Sequence, residues 1–351
     1  MQKTALISAL LAALTYQPAA QADLESRLQE TEYRVRSLED RLLDTHEKPQ
    51  KAAWPERITF GGLIEVEAEL QDPQHGESES RLTLATAELD VSARISPKVR
   101  GDLVLLYEDD GENPLDVDVA AVTFEPTAAW RFTAGRFYLP FGRYDTRMIS
   151  DPLTLELGEI RETALLAGTT QGGFSGTLTL FDGDAREDDA PKIDNFGIDL
   201  GYSRQGEGYG LALALGYIND LGDSDGLIDT VGEIHDRVGG LAFDIRFEFG
   251  PFTLIGGYVG AREAFESGDK PSARNLEAAY AFSFFEREAT LAVGHQGTRG
   301  AAATELPERL AIAALSVGVF DETAIGIEIS SAEDYRGERT KALRVQVSTE
   351  F

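Results

Sequence analysis

From Arg57 onward the chain is a succession of short runs in which apolar and polar residues alternate, joined by connections that are long and short in turn. Strict alternation gives a strand one oily and one wet face. The last run shows it plainly: Leu343, Val345, Val347, Thr349 and Phe351 share one face, and Arg344, Gln346, Ser348 and Glu350 the other. Runs fall near 57–71, 80–95, 99–110, 115–125, 129–137, 161–171, 173–182, 192–204, 208–219, 235–249, 251–263, 273–286, 288–298, 305–319, 322–333 and 340–351, about sixteen in all, an even number as bacterial barrels require. Connections after odd-numbered runs are long (72–79, 110–114, 138–160, 183–191, 220–234, 264–272, 299–304 and 333–339). Those after even-numbered runs are tight, such as Ser96-Pro97-Lys98 and Gln205-Gly206-Glu207. Transmembrane barrels have this asymmetry, and a soluble sandwich or propeller has no reason for it. Closure also hides every edge hydrogen-bonding group from lipid. The expectation is an all-β fold: a transmembrane antiparallel β-barrel of about sixteen strands over residues 57–351, whose aromatic-ended final strand pairs with the first and serves as the assembly signal.

Upstream, Lys3, the apolar run Ala5–Leu14 and Ala20-Gln21-Ala22 predict a cleaved signal peptide over residues 1–22 and hence export. The apolar run is roughly half of what a membrane-spanning helix needs. Leu24, Leu28, Thr31, Val35, Leu38 and Leu42 then follow a heptad seam, predicting a periplasmic coiled-coil helix over 23–44 and a linker with Pro49 and Pro55 over 45–56. About three heptads are marginal alone, so the seam points to several copies meeting, as a homotrimer, rather than to a lone helix at the periplasmic mouth. With no cysteine and four histidines, disulfides and Cys/His metal sites are excluded. No cofactor is expected. A net charge of -29 excludes a nucleic-acid binder. Most of that charge is assigned to solvated loops, where it can bind cations that bridge lipopolysaccharide; acid facing the lumen favours cationic solutes.

The phase of each run sorts lipid-facing from luminal residues. Ile58, Phe60, Ile64, Val66, Ala68 and Leu70 face out, leaving Glu65, Glu67 and Glu69 inside; Phe243, Ile245 and Phe247 face out, leaving Asp244, Arg246 and Glu248 inside. The same count makes Glu88, Asp90, Arg94, Arg100, Asp102, Asp116, Asp118, Arg131, Asp199, Glu328 and Arg344 luminal. A basic side chain facing lipid at the midplane would cost roughly 2–4 kcal/mol. A wet interior with acid in excess is expected, in which most arginines brace the wall. Phe60, Tyr107, Trp130, Tyr202, Tyr217, Tyr258 and Tyr335 suit interfacial girdles.

The connection 138–160 is the longest. Leu139, Phe141, Met148, Ile149, Leu153, Leu155 and Leu157 give it apolar groups to place against the wall, and Pro140 and Pro152 stiffen it. It is expected to fold inward and narrow the pore. Its charged residues and their flanks, Arg136, Arg143, Asp145, Arg147, Asp151, Glu156, Glu159 and Arg161, are the selectivity candidates, with Glu65, Glu67, Glu69, Glu88, Asp90, Asp244 and Arg246 lining the pore. Arg143, Arg147 and Arg161 are expected to form a basic patch opposite Glu65, Glu67 and Glu69.

Gly135-Arg136-Phe137-Tyr138-Leu139-Pro140-Phe141-Gly142 resembles the strand-to-loop motif of phosphate-selective-type porins. Ser150-Asp151-Pro152-Leu153-Thr154 with Gly158-Glu159, and Gly61-Gly62-Leu63-Ile64-Glu65-Val66-Glu67-Ala68-Glu69 after a coiled coil, resemble the LbtU-type siderophore porins more closely. The resemblance covers nearly the whole exported chain. It implies an outer-membrane protein of a Gram-negative bacterium that takes part in uptake of a ferric siderophore without a plug, and it supplies no site residues. A luminal ladder of Arg and Lys, which phosphate selectivity would need, is missing.

A TonB-type receptor needs about 22 strands plus a plug, more than 351 residues can hold. An enzyme would need a nucleophile and base in reach, and His46, His75, His235 and His295 have no companion motif. Asp223-Ser224-Asp225-Gly226 with Asp229 does not match EF-hand spacing and is assigned to an acidic solvated loop. A filled, structural barrel would need an internal plug that the sequence does not display. The expected function is TonB-independent uptake of a small solute, a ferric siderophore first; the alternative is a general or substrate-specific diffusion porin for another nutrient, slightly cation-selective.

Overall fold

Sixteen strands, each antiparallel to its neighbours, close into one barrel in sequence order, with the first paired to the last. The structure, a computed structural model, describes residues 57–109, 114–183, 192–231 and 237–351. The expected signal peptide, coiled coil and linker lie outside the described residues. The strands are β1 (Ile58–Pro73), β2 (Glu79–Ser96), β3 (Val99–Glu108), β4 (Leu115–Thr127), β5 (Trp130–Tyr138), β6 (Arg161–Gln171), β7 (Phe174–Phe181), β8 (Asn195–Gly206), β9 (Tyr209–Ile218), β10 (Gly240–Phe249), β11 (Phe252–Ala261), β12 (Ser272–Phe284), β13 (Arg287–Arg299), β14 (Arg309–Phe320), β15 (Thr323–Glu333) and β16 (Arg339–Glu350). Short helices sit in the long connections: α1 (Leu153–Gly158) between β5 and β6, and α2 (Asp225–Val231) between β9 and β10. β14 starts later than the alternation suggests, because Glu305 takes a left-handed φ of 59° and Pro307 offers no N–H to the ladder.

Alternation decides which way each side chain points. Along β10, Leu241, Phe243, Ile245, Phe247 and Phe249 are exposed on the outer face while Gly240, Ala242 and Asp244 are buried inside. Along β1, Phe60, Ile64, Val66 and Leu70 are exposed and Glu65, Glu67 and Glu69 are half-buried on the inner face. A bulge shifts the β1–β2 register between Glu65 and Val66, which keeps Leu82 and Leu84 beside the outward residues of β1. The seam runs from Leu63 opposite Glu350 to Pro73 opposite Thr340. Phe351 extends it by donating its N–H to Gly62 O (3.1 Å) and accepting from Gly62 N (3.0 Å).

Outward aromatics cluster near the short-turn end, where Phe174 meets Tyr202 (4.7 Å between ring centres) and Phe252 meets Tyr280 (5.1 Å). Tyr335 is not a girdle residue: it lies in the β15–β16 loop, hydrogen-bonded through its hydroxyl to Thr298 Oγ1 (2.8 Å) and Ala301 N (3.2 Å).

The interior is not wet on every side. A buried apolar cluster fills one side of it, joining Leu139, Phe141, Met148, Leu153, Leu157 and Ile160 of the 138–160 connection, Leu221 and Leu227 of the β9–β10 connection, and Ala242, Val259, Ala273, Ala292 and Ile312 of the wall. Inward residues of β9 to β14 such as Ala242, Val259, Ala273, Ala292 and Ile312 therefore meet protein, while the inward faces of β1 and β2 carry the carboxylates Glu65, Glu67, Glu69, Glu88 and Asp90.

Candidate functional site

The 138–160 connection, L3, leaves the wall as a paired stalk, with Leu139 N donating to Ile160 O at 2.8 Å. Gly142 and Tyr144 then take positive φ (114° and 52°) and turn the chain into the lumen. Phe141 is 1 % exposed and lies over Gly216 and Gly240, where an added β-carbon would come within 3.1 and 3.0 Å of its ring. Met148 lies over Gly294 and Ile149 over Gly326 in the same way. Glycines at inward positions thus form a trough for the apolar side chains of L3.

Wall carboxylates hold the loop's backbone. Glu277 on β12 accepts from Thr146 Oγ1 (2.8 Å), Arg147 N (2.9 Å) and Asn275 Nδ2 (2.8 Å). Glu328 on β15 accepts from Ile149 N (2.7 Å), Ser150 N (3.1 Å) and Ser150 Oγ. Gln296 on β13 accepts from Leu153 N at 2.7 Å. Asp244 accepts from the backbone of Arg143 and Tyr144. β12 to β15 lie across the ring from the β5–β6 root, so L3 crosses the lumen to the opposite wall. Glu277, Glu328 and Gln296 are at most 3 % exposed, and the charge-assisted bonds to the two glutamates are the stronger ones.

α1 forms where Pro152 starts a short helix, with Leu153 and Leu157, one turn apart, both buried. The β9–β10 connection closes over it. Ser224 Oγ donates to Leu157 O (2.8 Å) and Asp225 N to Glu159 O (2.9 Å); Gly226 sits against the backbone of Glu156, leaving no room for a side chain. The expected acidic solvated loop is therefore corrected: Asp220, Asp223 and Ser224 are 1 %, 1 % and 0 % exposed, buried because this segment packs on L3 rather than projecting into solvent.

The expected basic patch is also broken up. Arg143 pairs with Asp199 on β8 (2.5 Å), while Arg161 pairs with Asp118 (2.6 Å) and Asp116 (2.9 Å) at the root of L3. Arg136 reaches Asp116 at 3.4 Å, and Tyr138 OH donates to Asp118 at 2.6 Å. Each arginine goes to the nearest wall carboxylate, so these two cannot gather. Arg147 is exposed on L3. Glu67 and Glu69 face no L3 cation; they bind Arg344 on β16 at 3.2 and 3.1 Å, which also donates to Ser150 Oγ. The L3 charge acting on Glu65 is that of Asp151.

Asp151 and Glu156 are exposed on L3. Although both side chains reach solvent, the surrounding protein desolvates their carboxyls and raises them from the ordinary value, for Asp151 with Arg344 opposing and Glu328 adding repulsion, for Glu156 with repulsion from Asp151 added. Glu159 is pushed up to about 8 by burial, with Asp225, Asp151 and Asp118 adding repulsion and Arg161 opposing it. Glu88 and Asp90 lie on the inward face of β2, with Glu88 in the field of Asp90 and Asp118. Arg246 on β10 bonds Glu248 (2.5 Å) and approaches Asp145 (3.8 Å). Sequence reasoning missed Glu277 and Gln296 as loop anchors; the run of inward glycines on β9, β10, β13 and β15 was the signal that something packs there.

No protein-family model matches the chain. It is 24% identical over 319 residues to a UPF0422 protein of Legionella pneumophila (strain Lens), covering 79% of this chain and 59% of that protein. A UPF0422 protein of Coxiella burnetii is 24% identical over 304 residues, covering 80% and 65%. The chain thus spans less than two thirds of the length of these relatives. Among solved structures it resembles the outer membrane channel DcaP of Acinetobacter baumannii (TM-score 0.61, 12% identity, 84% of this chain and 97% of that one). OprB of Pseudomonas putida gives 0.63 at 10% identity, covering 85% and 95%, and an anion-selective porin from Comamonas acidovorans 0.58 at 12%, covering 84% and 99%. At these identities the likeness is one of fold: the chain has the barrel of outer-membrane porins.

Proposed function

We propose that this chain is an outer-membrane channel of a Gram-negative bacterium that admits a small solute by diffusion, without a TonB-type plug. The observation that carries this reading is the course of L3, which crosses the lumen and is pinned to the far wall through Glu277, Gln296 and Glu328. A loop held that firmly narrows a pore to a defined width. Asp151, Glu156 and Arg147 on L3, with Glu65, Glu67, Glu69, Glu88 and Asp90 on the wall, line the remaining passage. Arg136, Arg143, Asp145, Glu159, Arg161, Asp244 and Arg246 shape it from within ion pairs and hydrogen bonds. Proximity of Asp151 to Glu65 makes the narrow part acidic and favours slight cation preference, the property expected of the alternative, a general or nutrient-specific diffusion porin.

A ferric siderophore is the first solute to try, on the resemblance to LbtU-type porins. A homotrimer in lipid and lipopolysaccharide is the working assembly. The test is single-channel conductance of refolded protein in a planar bilayer, with reversal potential under a salt gradient. Stable steps with cation preference and block by a ferric siderophore support the siderophore reading, steps without block support the general porin, and a folded barrel with no steps overturns the channel.

A further inference from the structure

We propose that a cavity between the short-turn end of the barrel and the underside of L3 is a binding subsite for a small oxygen-rich organic anion carrying both carboxylate and hydroxyl groups. The inference deepens the channel reading, which supplies its access. The cavity measures about 710 Å³, within the range of ligand sites. It is bounded by Lys98 in the β2–β3 turn, Arg131 on β5, Ser175 and Thr177 on β7, Asp199 on β8 and Arg143 on L3. Three of these six are cationic, in a chain of net charge -29 whose narrow part is acidic.

Asp199 is 1 % exposed and spends its charge on Arg143, at 2.5 Å. That pair fixes the Arg143 guanidinium while leaving the side chain 37% exposed. Neither Lys98 nor Arg131 makes an ion pair among the described residues, and Glu125 is the one further carboxylate on the cavity wall. The balance is two unpaired cations against one acid. Thr177 Oγ1 and Asp199 Oδ2 are buried without a hydrogen-bond partner, and groups of that kind cost free energy until a donor is found. A planar guanidinium matches a carboxylate in two parallel bonds, and hydroxyls on the solute suit Ser175 and Thr177. An amine would face Arg131 and Lys98, and a neutral sugar would leave both cations unmatched. The same oxygen-rich anion can arrive free or wrapped around a ferric ion.

The test is isothermal titration of the full chain, refolded in detergent, with citrate, ferric citrate and glucose, beside bilayer recordings with the same probes. Citrate or ferric citrate should bind and glucose should not, and Arg131→Gln should weaken binding about tenfold, the loss expected for one bidentate contact. Arg131→Lys should recover part of it. Preference between citrate and ferric citrate identifies which form the subsite takes. Absence of binding by both acids, or unchanged binding in a folded Arg131→Gln barrel, overturns the subsite. Binding without conductance leaves the subsite standing and removes the channel, whereas conductance without binding or block does the reverse.

Discussion

The carboxylate of Glu277, in the middle of β12, accepts the hydroxyl of Thr146 at 2.8 Å across 131 residues of sequence. With Glu328 it ties the tip of L3 to the wall opposite its root. Replacing Glu277 and Glu328 together by alanine leaves the loop's donors unsatisfied, at roughly 1–3 kcal/mol each. The double variant should still fold, because its ladders are untouched, but show higher and noisier unitary conductance. An unchanged trace would mean that these anchors do not set the pore.

Phe141 needs the space that Gly216 leaves. Gly216→Val should displace it and cost about 1–3 kcal/mol as an overpacked contact, read as a lower thermal midpoint of the refolded barrel and as easier proteolysis of L3. The outward substitution Leu215→Val, one residue away, should do neither.

Glu159 gives the L3–α2 contact a pH dependence. Its folded pKa, about 8, lies above the ordinary 4.5, so the folded contact holds a proton that the free carboxyl releases. Stability from this group is therefore complete below about 4.5 and declines as pH rises through 8. The ionised form meets Asp225, Asp151 and Asp118, with Arg161 alone in opposition. Current noise should grow between pH 7 and 9, by roughly the tenfold population change that one pKa unit allows. In Glu159→Gln that pH dependence should disappear.

Ion preference should follow Asp151 and Glu156. Asp151→Asn with Glu156→Gln should move the reversal potential toward zero under a salt gradient, because two charges leave the narrow part. Arg136→Gln should move it little, since Arg136 already faces Asp116 at 3.4 Å. Equal shifts from both variants would contradict this division of roles.

Strand positions were legible because alternation has a period of two and is written locally: Phe243, Ile245 and Phe247 face outward whatever the rest of the chain does. The division between long and short connections could be read for the same reason. Residue type also placed the phenylalanine and leucines of L3 against some wall, though not which wall. The basic patch failed because nothing local in Arg143 or Arg161 records that Asp199 and Asp118 stand closer than Glu65 does.

Sequence alone determined a barrel with both faces assigned, since strand phase depends only on neighbouring residues. Tertiary structure alone decided where the lumen is open. The path of L3 rests on partners such as Ile149 and Glu328, 179 residues apart, and on α2 folding over α1. Contacts at that separation exist only after the ring has closed, when the inward carboxylates and glycines of β9 to β15 become one surface.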